Sequence, residues 1–98
     1  MTNEEMIKEC PGLLKLRMDG VESVFFNITG EKIDYTKSLT EQGLDDLDGV
    51  EFIMGLEEKF NISIPDSIGE LFAYGKYPIG LLGDIRQMHR EKIINSIL

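Results

Sequence analysis

The interpretation of the fold rests on one stretch, Gly43-Leu-Asp-Asp-Leu-Asp-Gly-Val-Glu-Phe-Ile-Met-Gly-Leu-Glu-Glu-Lys-Phe60. It begins as an acidic loop and continues as a helical pattern. At about 3.6 residues per turn, Asp48, Glu51 and Glu58 fall on one narrow strip together with Lys59. Apolar side chains occupy most of the remaining circumference: Leu47, Val50, Phe52, Ile53, Met54, Leu56 and Phe60. The pattern predicts a central helix that is largely enclosed and shows solvent one acidic edge.

Length and composition predict one soluble domain over residues 1–98. The chain has 98 residues, of which 42% are hydrophobic and 29% charged, and it contains no apolar run long enough to span a membrane. The N-terminus carries acids where a signal peptide would carry bases, which favours the cytoplasm. Its single cysteine, Cys10, cannot form an internal disulfide, and we interpret it as a small buried hydrophobe.

The negative charge is concentrated in the middle of the chain. Residues 31–75 contain eleven acids and three bases, a net charge of −8 that equals the net charge of the whole chain. Such a field repels nucleic acid and anionic membranes and favours partners with basic surfaces, although it also serves solubility alone. We therefore expect a monomer with a basic partner protein, and no nucleic acid or membrane partner.

Helical patterns are expected on both sides of the central stretch. Residues 3–9 form a short helical turn before Pro11-Gly12, so residues 1–12 are interpreted as an extension able to fray. A helix over 21–28 is expected to have Asp19 as its N-cap and to end at Thr29-Gly30.

Residues 31–45 are interpreted as a long loop, pinned by the apolar anchors Ile33, Leu39 and Leu44. The central helix then begins with Asp45 or Asp46 as its N-cap. A short helix is expected from Pro65-Asp66-Ser67 to about Ala73. A last helix is expected from about Ile79, with Leu82, Ile85 and Met88 on its apolar side.

These patterns together resemble the acyl carrier protein family over about residues 20–95. In that family the helix start reads Gly-x-Asp-Ser-Leu, followed by an acidic and apolar helix and then Ile-Pro-Asp. The matching positions follow one another without a gap: Gly43, Asp45, Leu47, Val50-Glu51, Met54, Leu56-Glu57-Glu58, Phe60 and Ile64-Pro65-Asp66. The resemblance implies an all-α four-helix bundle of acyl-carrier-protein type with a long first loop.

Asp46 departs from the family pattern at the position that carries the family's chemistry. The resemblance places there the serine that accepts 4′-phosphopantetheine. A carboxylate at this position would give a reactive acyl phosphate rather than a stable phosphodiester, so we predict that Asp46 is unmodified and that no cofactor is held.

Three interpretations of this position remain open. Asp46 could only cap the helix and meet the positive end of its dipole. Its charge could also imitate the phosphodiester of a loaded carrier and so allow docking. Alternatively, the attachment residue lies elsewhere, as at Ser67 in Asp66-Ser67-Ile68, although Ser67 also fits the start of the short helix.

The sequence supports no catalytic or metal site. His89 stands alone among bases, and the clustered aspartates lack the spacing of a calcium loop. We predict an interaction module, not an enzyme, that docks through five residues of the central helix: Leu47, Asp48, Glu51, Met54 and Glu58. The alternatives are a genuine carrier of fatty-acid, polyketide or peptide biosynthesis modified at a residue such as Ser67, and a helical protein that binds an apolar ligand directly.

Overall fold

The structure is a computed structural model that describes residues 2–87. Over these residues all regular structure is helical, which confirms the predicted all-α class. The helices are α1 (Asn3–Glu9), a 3-10 helix (Pro11–Lys15), α2 (Met18–Thr29), α3 (Asp46–Phe60), α4 (Asp66–Ala73) and α5 over residues 80–87. Met88 and His89 lie outside the described residues.

The ends of α2 follow from local backbone chemistry. Gly30 stops the helix in the left-handed conformation with a φ of 71°, as predicted. The prediction that Asp19 is the N-cap is wrong, because the helix begins earlier and its N-cap is Arg17. Asp19 lies in the first turn, where its carboxylate accepts a hydrogen bond from the Gly20 N–H at 2.9 Å. A carboxylate in the first turn still interacts favourably with the positive end of the helix dipole and so stabilises the helix.

The N-terminal segment is anchored in the core, although the sequence suggested an extension able to fray. Met6, Cys10, Leu13 and Leu16 are each at most 2% exposed. The Cys10 thiol donates a hydrogen bond to the Ser63 carbonyl at 3.3 Å, and burial raises the pKa of this thiol. The segment therefore packs under the connection between α3 and α4.

The long loop after α2 is pinned by the predicted anchors Ile33, Leu39 and Leu44, all of which are buried. The Gln42 side chain adds a clamp, since its amide oxygen accepts from the Asp34 N–H at 2.9 Å and its nitrogen donates to the Asp34 carbonyl at 3.1 Å.

Two backbone hydrogen bonds tie this loop to the start of α5. They run from the Ile79 N–H to the Lys37 carbonyl at 3.1 Å and from the Gly80 N–H to the Tyr35 carbonyl at 2.8 Å. The Tyr35 hydroxyl also donates to the Glu22 carboxylate of α2, and burial together with this carboxylate raises the pKa of Tyr35. The loop therefore connects α2 to α5 across one end of the bundle.

Replacing Met6 with Ala should lower the free energy of unfolding by about 2–5 kcal/mol, because it leaves a cavity in the core. Urea unfolding followed by circular dichroism measures the change. Met54→Ala is the matched control, since Met54 is 60% exposed. The control should change stability by less than about 0.5 kcal/mol. A Met6→Ala effect as small as that of the control would contradict the burial of the N-terminal segment.

Candidate functional site

A capping box fixes the start of α3. Asp45 is the N-cap, and its carboxylate accepts a hydrogen bond from the Asp48 N–H at 2.8 Å. The Asp48 carboxylate in turn accepts from the Asp45 N–H at 3.4 Å. Of the two candidates that the sequence left open, Asp45 therefore takes the capping role.

Asp46 is the first residue of α3, and its side chain is exposed. Within the described residues its carboxylate takes part in neither half of the capping box. The side chain instead adds negative charge beside the free N–H groups of the first turn. The interpretation of Asp46 as the capping residue is wrong, because Asp45 already makes the bond to the helix backbone.

The predicted docking residues form a ridge along α3, which we call the α3 ridge: Leu47, Asp48, Glu51, Met54 and Glu58. Leu47 and Met54 are 67% and 60% exposed, and Glu51 and Glu58 are also exposed. Asp48 is half-buried, and its carboxylate and its backbone N–H both take part in the capping box. Four of the five side chains are thus open to a partner.

The opposite side of α3 is packed by large apolar residues. Phe52 and Leu56 are fully buried, and Ile53 is nearly so. The rings of Phe25 and Phe52 meet edge to face with centroids 6.4 Å apart, which joins α2 to α3. This packing fixes the rotation of α3 and therefore the direction in which the α3 ridge points.

A groove of about 370 Å³ lies between α3 and α4. Val50, Ile53 and Ile64 supply apolar wall, and acidic side chains from both helices also line the groove. Met54 of the α3 ridge lines it together with Tyr74, which is 45% exposed. Sequence reasoning missed Tyr74, because its exposure depends on the end of α4 and not on a periodic pattern.

Ser67 and Ser38 are in different settings. Ser67 is exposed in the first turn of α4, where its hydroxyl donates to the Glu9 carboxylate at 3.1 Å. Ser38 is 1% exposed, and its oxygen accepts from the Glu41 N–H at 3.2 Å. Of these two hydroxyls, only that of Ser67 can be reached from solvent.

Neither a metal site nor a membrane span is found in the part of the chain that the structure describes. No group of three or more His, Cys, Asp or Glu side chains in residues 2–87 is placed to hold a metal ion. No helix among these residues is both long and apolar enough to cross a membrane.

The fold and the site define a class of small helical domain with an acidic central helix entered through a capped aspartate turn. A family model described as a phosphopantetheine attachment site matches residues 23–75, more than half of the chain. The chain belongs to this family. The match includes the loop after α2, all of α3 and α4, and Asp46 itself.

Similar proteins carry the name acyl carrier protein. The chain is 46% identical over 48 residues to the acyl carrier protein of Wolinella succinogenes, covering 48% of this chain and 63% of that protein. It is 38% identical over 50 residues to the mitochondrial acyl carrier protein of Dictyostelium discoideum, covering 51% and 42%. It is 56% identical over 39 residues to that of Campylobacter hominis, covering 40% and 48%.

These alignments span less than two thirds of each relative's length. No solved structure matches the chain significantly. Acyl carrier proteins are carriers rather than enzymes, in agreement with the prediction of a non-enzymatic protein.

Replacing Asp45 with Ala should lower the free energy of unfolding by about 0.5–2 kcal/mol, because the capping bond to Asp48 is lost. The neighbouring variant Asp46→Ala should have a smaller effect, since the loss of about 0.3–1 kcal/mol from the dipole interaction is offset by the higher helix propensity of alanine. Urea unfolding of both variants measures the difference. A loss of stability for Asp46→Ala that equals or exceeds the loss for Asp45→Ala would contradict the assignment of Asp45 as the N-cap.

Proposed function

We propose that the chain is an acyl-carrier-protein-like interaction module that carries no phosphopantetheine at Asp46 and docks on a basic surface of a partner protein. The observation that carries this proposal is the α3 ridge, an exposed row of acidic and apolar side chains that starts directly after Asp46. Acidic side chains steer a basic partner, and Leu47 and Met54 supply apolar contact area. We also propose that the protein acts as a monomer in the cytoplasm.

The residues at the start of α3 do not fit the family's prosthetic group. Attachment needs a hydroxyl that forms a phosphodiester, and Asp46 offers a carboxylate. The neighbouring positions, Asp45 and Leu47, offer no hydroxyl either. The carboxylate of Asp46 is exposed and uninvolved in capping, so it can present a fixed negative charge where a loaded carrier has its phosphodiester.

A genuine carrier of fatty-acid, polyketide or peptide biosynthesis is the second candidate. It is favoured by the exposed hydroxyl of Ser67, which follows an aspartate as the family motif requires. The helix that contains Ser67 in its first turn, α4, is only eight residues long, and the Ser67 hydroxyl donates a hydrogen bond to the Glu9 carboxylate. These two features make Ser67 a weaker attachment site than the start of α3 would be.

Direct binding of an apolar ligand is the third candidate. The groove between α3 and α4 favours it, because its volume of about 370 Å³ and its aliphatic wall suit a short hydrocarbon chain. The acids on its lining, Glu57, Asp66 and Glu70, favour a ligand whose polar end is positive.

Incubation with coenzyme A and a broad-specificity phosphopantetheinyl transferase should leave the intact mass unchanged. Asp46→Ser should gain one phosphopantetheine, because it restores the hydroxyl at the family's attachment position. Mass spectrometry measures both outcomes. Gain of the group by the unaltered protein would overturn the proposal, and Ser67→Ala would then report whether Ser67 had taken it.

Charge neutralisation tests docking. Capture of proteins from the source cells by the immobilised domain should fall at least about fivefold in the Glu51→Gln, Glu58→Gln double variant and at high salt, because two exposed ion pairs are lost or screened. Quantitative mass spectrometry measures the captured proteins. The matched control is a double variant of two exposed acids that lie outside α3 and line neither of the grooves beside it, Glu4→Gln and Glu31→Gln, which should capture normally. Capture that is indifferent to both the Glu51 and Glu58 changes and to salt would remove the α3 ridge from the proposal.

A further inference from the structure

The acidic and apolar residues of the α3 ridge face different grooves. Glu51 and Glu58 line a groove of about 470 Å³ between α2 and α3, whereas Met54 lines the groove between α3 and α4. The sequence-based prediction had combined these residues in one docking face of α3. The structure thus has two possible binding sites for a partner, one groove on each side of the α3 ridge.

Glycine shapes the groove between α2 and α3. A Cβ on Gly55 would lie 2.7 Å from Val24 Cγ1, so the two helices touch at this point and no side chain stands above the contact. Val24 is 8% exposed and Ile28 is half-buried. Together they give the groove an apolar floor on the α2 side.

The two carboxylates stand on either side of the Gly55 notch. Glu51 and Glu58 are seven residues apart on one helix, which places their Cα atoms about 10.5 Å apart along its axis. Both are exposed, and neither forms a salt bridge within the described residues. Their charges are therefore available to a ligand.

Lys59 marks one end of the groove. Its Cε lies 3.1 Å from the position of a Cβ on Gly20, so the side chain reaches toward the start of α2. Glu51 and Glu58 attract a basic side chain of the partner, whereas the Lys59 ammonium repels a basic side chain placed beyond Glu58. This repulsion helps to set the position of the partner along the groove.

We propose that the groove between α2 and α3 receives an amphipathic helix of the partner protein, with two Lys or Arg residues seven positions apart on either side of an aliphatic residue. The aliphatic residue packs over Gly55 against Val24 and Ile28, and the two cations reach Glu51 and Glu58. Equal spacing on two helices lets both pairs form at once. This proposal rests on the proposed docking function and names the groove and the form of the partner.

The groove between α3 and α4 is less suited to such a helix. The Glu57 carboxylate on its wall already accepts a hydrogen bond from the Ile64 N–H at 3.0 Å, which holds the connection between the helices. Its remaining acids, Asp66 and Glu70, stand on α4, and not at a seven-residue spacing. Glu70 is exposed and provides a matched control position.

The test uses a synthetic fluorescein-labelled peptide of about 18 residues with helical propensity, carrying two Lys seven positions apart around a Leu. Fluorescence anisotropy measures its dissociation constant at low salt. The Glu51→Gln, Glu58→Gln variant should bind about fivefold to thirtyfold more weakly, because two exposed charge pairs are lost. A second peptide with its two Lys five positions apart should bind the unaltered protein more weakly than the first.

Two single variants that each raise the net charge by one locate the peptide. Asn27→Lys places a cation on the α2 wall of the groove and should weaken binding by about fivefold. Glu70→Gln, on α4, should change binding by less than about twofold. The largest amide shifts in ¹⁵N NMR spectra should fall on residues of α2 and α3.

Three results would overturn the groove assignment. The first is the absence of saturable binding up to millimolar peptide, and the second is equal affinity for both peptides. The third is that Glu70→Gln weakens peptide binding more than Asn27→Lys does, with the largest amide shifts on α4. If one of these results is obtained but the capture of cellular proteins still depends on Glu51 and Glu58, the docking function stands while the groove assignment fails. If capture does not depend on them, the docking function fails with it.

Discussion

The close approach of α3 to its two neighbours is the constraint on which the rest of the structure depends. A Cβ on Gly49 would lie 2.3 Å from the Ala73 carbonyl oxygen of α4, and a Cβ on Gly55 would lie 2.7 Å from Val24 of α2. Two glycines on one helix thus allow close contacts on two sides. Because interiors are packed at near-crystalline density, the backbone contact at Gly49 cannot be relaxed without moving a helix, and the contact at Gly55 can be relaxed only by displacing the Val24 side chain.

These contacts also determine which part of the α3 surface remains exposed to solvent. With α2 on one side and α4 on the other, α3 exposes only the narrow ridge between two grooves. Its acids cannot be buried without desolvating a charge, so they occupy the ridge, and the glycines leave a notch beside them. The shape of the proposed docking surface is therefore a consequence of core packing, and its acidity follows from the requirement that the remaining edge of α3 be polar.

The sequence predicted the helices that have a clear period and a strong stop, such as α2 with Gly30 and α3 with its acidic entry. It also predicted Ile33, Leu39 and Leu44 as loop anchors, because isolated apolar residues in a polar loop have few other roles. In the N-terminal segment the sequence predicted the short helix over residues 3–9 and the burial of Cys10. The anchoring of the whole segment in the core could not be predicted, since Pro11-Gly12 interrupts any single period linking its buried residues. The two grooves could not be predicted either, because they depend on contacts between glycines and residues distant in sequence.

Asp45 and Asp46 are adjacent in sequence but have different roles at the start of α3. Aspartate is a favoured N-cap residue, so for two adjacent aspartates at a helix start the sequence alone allowed either to be the cap. Asp45 makes the capping bond, which leaves the Asp46 carboxylate exposed and free of that structural duty. An exposed acid that does not make the capping bond, at the position that the resemblance gives to the family's attachment serine, is what the proposed presentation of charge to a partner requires.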